Sequence, residues 1–84
     1  MKKTIYIYIE SNSNEPEVHM SVESALESMT ADLKYHAERW GYDEDELNEA
    51  IKELKEDVSA NADYCFGTYL GDLSVNCYAR EIEI

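Results

Sequence analysis

The sequence predicts an α+β fold in the order β-α-α-β-β, with a three-stranded, mainly antiparallel sheet and two helices on one of its faces. Three observations predict it. The stretch "TIYIYIE" alternates with period two. Two later stretches repeat apolar residues at three- and four-residue steps. A Gly-Asp pair then divides the last stretch into two apolar runs. The 84 residues are expected to form a single domain, 1–84, with a modest core that hides roughly 60–65% of the unfolded surface.

The alternating stretch, Thr4 to Glu10, is read as a half-buried strand, with Ile5, Ile7 and Ile9 inward and Tyr6 and Tyr8 outward. "SNSNEPE", Ser11 to Glu17, follows as a polar loop punctuated by Pro16. A helix is expected from Ser21, a good N-cap, to Trp40. Val22, Leu26, Met29, Leu33, Ala37 and Trp40 share one of its faces, and Gly41 stands where a C-terminal glycine cap belongs. A second helix starts near Asp43, which has capping-box spacing to Glu46, and carries a stripe of Leu47, Ala50, Ile51, Leu54 and Val58. The short link at Gly41 makes the two helices an antiparallel pair or a corner.

"YCFGTYLGDLSVNCYAREIEI" reads as a hairpin about a two-residue Gly71-Asp72 turn. In that register Leu70 faces Leu73, Thr68 faces Val75 and Phe66 faces Cys77, all toward the core. Cys65, Tyr69, Ser74, Asn76 and Tyr78 take the other face. Cys65 and Cys77 then point apart, whereas a different loop length would change the register and could pair them. Ile82 and Ile84 change parity relative to Val75 and Cys77, which predicts a bulge around Ala79 to Glu81. The face away from the helices would display Tyr6, Tyr8, Tyr69 and Tyr78. Tyrosine there stabilises a sheet and equally suits a protein interface or a homodimer.

Composition narrows the function. Nineteen acids face seven Lys and Arg, a net charge of −12. That opposes direct contact with nucleic acid or an anionic membrane and favours a basic partner. Apolar residues make up 44% of the chain, which is globular rather than disordered. There is no run of about 18 apolar residues to span a membrane, and "TIYIYI" after Lys2 and Lys3 is too short for a secretory leader. With only two cysteines a disulfide framework is not expected, and the cytoplasm is the expected compartment. His19, His36, Cys65 and Cys77 lack zinc-ligand spacing, the glycines at 41, 67 and 71 are isolated, and no nucleophile motif occurs. No cofactor and no enzymatic activity are therefore expected.

The second helix is the strongest lead. Asp43 to Glu46 suit a helix start. The later acids do not. Asp45/Glu49, Glu49/Glu53 and Glu53/Asp57 are like-charge pairs four apart, and Glu46/Glu49 and Glu53/Glu56 are three apart. Each such pair costs about 0.2–0.5 kcal/mol, only partly relieved by Lys52 and Lys55. A total on the order of 1–2 kcal/mol matters in a domain stabilised by about 5 kcal/mol. Carboxylates about 5–6 Å apart offer a basic groove an anionic row, and arginine grips carboxylate and phosphate with the same fork. Asp45, Glu46, Glu49, Glu53, Glu56 and Asp57 are the expected partner-binding residues, together with Tyr6, Tyr8, Tyr69 and Tyr78.

In size, in the β-α-α-β-β layout, in the "DEDELNEAIKELKED" helix and in its tyrosine-rich strands, the chain resembles small acidic phage proteins that disarm bacterial defence, especially anti-CRISPR proteins. The resemblance implies an inhibitor that blocks an RNA-guided effector or another nucleic-acid-binding enzyme of the host cytoplasm. The alternative is a non-inhibitory adaptor or antitoxin-like domain for a basic partner.

Overall fold

The computed structural model describes residues 1–84 and is built of β1 (Lys2–Glu10), β2 (Glu17–His19), α1 (Val22–Trp40), α2 (Glu44–Asn61), β3 (Cys65–Leu70) and β4 (Leu73–Glu83). The sheet has four strands in the order β2-β1-β4-β3, every neighbouring pair antiparallel. The added strand, β2, begins at Glu17, the last residue of the stretch expected to be a loop. It is three polar-flanked residues held to β1 by the pairs Tyr6–His19, Ile7–Val18 and Tyr8–Glu17. So short a strand carries no periodicity of its own.

Both helices begin, and α1 ends, by the expected devices. The Ser24 N–H donates to Ser21 Oγ at 3.1 Å, and the Glu46 N–H donates to Asp43 Oδ1 at 2.8 Å. Gly41 closes α1 in the left-handed region at φ 74°. The helices share one face of the sheet. Ala25, Met29, Leu33 and Ala37 of α1 and Ala50 and Leu54 of α2 join Tyr8, Phe66, Leu70, Leu73, Val75 and Cys77 in a single core.

The hairpin register is the expected one: Leu70–Leu73, Thr68–Val75 and Phe66–Cys77. The two cysteines lie on opposite faces and are free thiols. At the turn Gly71 has φ 61° and lies against the Tyr42 ring, where a Cβ would overlap the tyrosine hydroxyl. Gly71→Ala therefore meets a left-handed penalty of about 1–2 kcal/mol and also displaces Tyr42, which stacks on His36 with ring centroids 5.6 Å apart. Urea unfolding should show a loss of at least about 2 kcal/mol. An unchanged midpoint would contradict this packing.

Two expectations are corrected. β1 is inverted: Tyr8, 1% exposed, lies in the core with Tyr6 packed beside it, while Ile5, Ile7 and Ile9 face away from the helices. Pairing with β4 decides this. Tyr8 stands opposite Cys77 and Tyr6 opposite Ala79, two small residues of the helix-covered face that leave room for a ring. The Tyr8 hydroxyl then donates to Asp32 Oδ2 on α1 at 2.6 Å, so its polar end is satisfied. The expected bulge is also absent. β1 and β4 pair without interruption from Glu10–Val75 to Lys2–Glu83, so Ile82 and Ile84 belong to the open face with the isoleucines of β1.

Candidate functional site

The Asp43 N-cap fixes where α2 starts, and its apolar stripe fixes how the helix is turned. With Ala50 and Leu54 buried and Leu47, Ile51 and Val58 packed against the core, Asp45, Glu46, Glu49, Glu53 and Glu56 are left in solvent. They lie along the flank that runs beside β3. Asp45, Glu46, Glu49 and Glu53 line one open depression together with Tyr69 and Gly71. Glu53, Glu56 and Asp57 line the next, again with Tyr69. Tyr69, 71% exposed, therefore stands in the acidic row rather than on a separate surface. Tyr78 is half-buried and borders a third depression with Asp57 and Tyr69.

The row is electrostatically bare. The ion pairs are Met1–Glu83 and Lys2–Glu81, His19 and His36 lie close to Glu17 and Asp72, and none of these contacts involves α2. Lys52 and Lys55 line a depression with Asn48, Ile51 and Ser59 on another flank. Glu56 alone borders both.

Asp57 differs from its neighbours. It accepts the Gly67 N–H at 2.9 Å and Asn61 Nδ2 at 2.7 Å. Gly67 is in β3, the edge strand, so this carboxylate ties the end of α2 to the sheet and covers a backbone donor that another strand could otherwise pair with. Its place near the negative end of the helix dipole is offset by these hydrogen bonds. Glu53 has a weaker structural tie, a 3.4 Å hydrogen bond from Thr68 Oγ1.

Of the ten residues singled out from the sequence, the structure gathers Asp45, Glu46, Glu49, Glu53, Glu56, Asp57, Tyr69 and Tyr78 around α2 and β3, and withdraws Tyr6 and Tyr8 beneath the helices. It also forms a cleft that the sequence did not reveal, lined by Glu10, Asp32, Tyr35, His36, Arg39 and Trp40. His36 is buried there. Its Nε2 lies 3.3 Å from Asp72 Oδ1 but is too poorly aligned for a hydrogen bond, so the atom has no partner. The signal was the spacing of Asp32, Tyr35, His36 and Arg39 on α1, but the contribution of Glu10 depends on the β1 inversion.

No helix is long and apolar enough to cross a membrane. Among known proteins, no family model, curated protein or solved structure matches the chain.

Proposed function

We propose that this chain is an acidic binding protein that inhibits a nucleic-acid-binding defence effector of the CRISPR-Cas type by occupying its basic DNA- or RNA-binding surface as a nucleic-acid mimic. The observation that carries the reading is the unpaired acidic row of α2. From Asp45 to Asp57 the helix advances about 18 Å, and Asp45, Glu46, Glu49, Glu53, Glu56 and Asp57 fall within that length. The mean spacing is about 3.6 Å of axis per charge. One strand of B-form DNA presents a charge about every 3.4 Å. A groove lined with Lys and Arg to track one phosphate strand therefore meets a similar linear charge density on a rigid support. Because no cation of the protein is ion-paired with the row and Lys52 and Lys55 offset only part of its charge, its field extends to the partner and accelerates encounter. Tyr69 adds a rigid, amphipathic contact in the middle of the row. Catalysis has no part in this reading.

The test is a pull-down against purified CRISPR effectors and restriction enzymes, with target DNA as competitor. Mimicry requires that DNA and the protein exclude each other, and that binding weaken steeply as salt rises. Binding that leaves DNA occupancy unchanged would instead favour an adaptor or an allosteric inhibitor and overturn the proposal.

A further inference from the structure

The face of the sheet that no helix covers carries no carboxylate. β1 presents Lys3, Ile5, Ile7 and Ile9 there, and Val18 of β2 stands opposite Ile7. β4 contributes Ser74, Asn76, Tyr78, Arg80 and Ile82, while β3 adds Cys65, Gly67 and Tyr69. Of the nineteen acids of the chain none stands on these strand positions, and Asp57 of α2 borders them at the β3 edge, where it accepts the Gly67 N–H. An antiparallel sheet with one face in water normally alternates apolar with polar residues. In β1 both faces are apolar. Val18 is 60% exposed, Ile9 45% and Ile82 37%, so the β1–β2 side of the sheet and the end of β4 leave apolar residues uncovered on the face opposite the helices.

We infer that the missing layer is a second copy of this chain, with the two sheets packed face to face about a two-fold axis. Charge selects this occupant. Two molecules of net charge −12 repel at every surface that bears carboxylates, and the open sheet face bears none. Packed sheets stand about 10 Å apart, with each helical layer about 10 Å further out. The two acidic helix layers would therefore lie about 30 Å from each other, several times the Debye length of about 8 Å at physiological salt. An axis running across the strands places the Lys3 and Arg80 end of one sheet over the Ser74 and Asn76 end of the other, so like charges do not meet. Arg80 is further accommodated over the Tyr78 ring, at 5.6 Å.

Area sets the strength. Seven residues of β1 and a width of four strands span about 23 Å by about 19 Å. Two copies would bury about 900–1,000 Å² in total, near the lower limit for a specific interface. The dimer should therefore be reversible, forming in the micromolar to sub-millimolar range rather than permanently. The carboxylates of the acidic rows would remain at the rim, with Tyr69 of the β3 edge bordering both the row and the packed face.

The experiment is sedimentation equilibrium of the full chain from low-micromolar to sub-millimolar concentration. The mass should rise from 9.7 kDa toward twice that value, and more readily at higher salt, which screens the repulsion between copies. Ile9→Lys with Val18→Lys should hold the chain at the monomer mass with an unchanged circular dichroism spectrum. If that variant does not fold, Ile9→Thr keeps the β-branch at an already exposed position and should weaken association several-fold. A wild-type chain that stays monomeric throughout, or a folded lysine variant that dimerises like wild type, overturns the inference. The salt dependence separates this inference from the proposed function, since self-association should strengthen with salt and binding through the acidic row should weaken.

Discussion

Tyr8→Ala is expected to remove most of the folding stability at 25 °C. The side chain is 1% exposed, sits between α1 and β4, and is among the largest fully buried groups. Truncating a buried aromatic ring to alanine costs about 3–5 kcal/mol, against a total stability of about 5 kcal/mol for a small domain. Urea unfolding followed by far-UV circular dichroism measures the loss, and a variant that loses less than about 1 kcal/mol would mean that Tyr8 does not occupy the core. Tyr8→Phe separates the ring from its hydroxyl. It keeps the packing and removes the 2.6 Å hydrogen bond to Asp32, a charge-assisted bond worth about 1.5–3 kcal/mol. Asp32 is half-buried and can be rehydrated, which places the cost at the lower end. The same pair makes the fold sensitive to alkali. Burial first, and then the Asp32 carboxylate, hold the Tyr8 phenol far above its ordinary value, and burial pushes the Cys77 thiol up to about 11. Both groups stay protonated in the folded chain while the unfolded chain begins to ionise, the thiol at about pH 8.5 and the phenol at about pH 10. Above those values the native state binds more protons, so stability must fall with rising pH, by up to about 1.4 kcal/mol per pH unit for each group. Below about pH 8 neither group contributes to the pH dependence. Tyr8→Phe should remove the tyrosine part of the alkaline slope and leave the part due to Cys77.

Local signals in the sequence led to local features of the fold. Ser21, Gly41 and Asp43 cap the helices where their chemistry requires, and Gly71-Asp72 sets the register of β3 on β4. These features depend on residues a few positions apart. The orientation of β1 does not. "IYIYI" is apolar on both sides, so alternation identifies a strand without saying which face is covered. The answer lies in the pairing of Tyr6 and Tyr8 with Ala79 and Cys77, about seventy residues away. The decreasing size of Leu73, Val75, Cys77 and Ala79 along β4 was the available clue, and it has meaning only once the strands are known to be neighbours. β2 was illegible for the same reason, since its three residues form a strand only because β1 offers an edge. The acidic row was legible because a helix turns its side chains by a fixed angle, and the apolar stripe of α2 determined where the acids must point. Legibility failed at Asp57, whose role depends on a β3 backbone amide ten residues away.

Neutralising the row while preserving its shape should separate its effect on folding from its effect on binding. We expect Glu46→Gln, Glu49→Gln, Glu53→Gln and Glu56→Gln together to leave the melting temperature unchanged or slightly raised, because each like-charge pair removed relieves about 0.2–0.5 kcal/mol. Glutamine can still accept the Thr68 hydroxyl at position 53. Asp57 is left intact because Asp57→Asn would weaken the tie to Gly67 and confuse folding with binding. Binding should respond in the opposite direction. If each lost carboxylate removes about 1 kcal/mol of charge-assisted contact, affinity for a susceptible effector falls about a thousandfold, and the salt dependence of what remains becomes shallower. Lys52→Gln with Lys55→Gln provides the control. Those cations lie on another flank, and their removal makes the protein more acidic without altering the row, so binding should be unchanged or slightly tighter. Calorimetry or surface-based kinetics against one purified effector decides the matter. A folded four-fold glutamine variant that binds like wild type would reduce the row to a solvated surface, since a groove that reads phosphate-like charge must respond when that charge is removed.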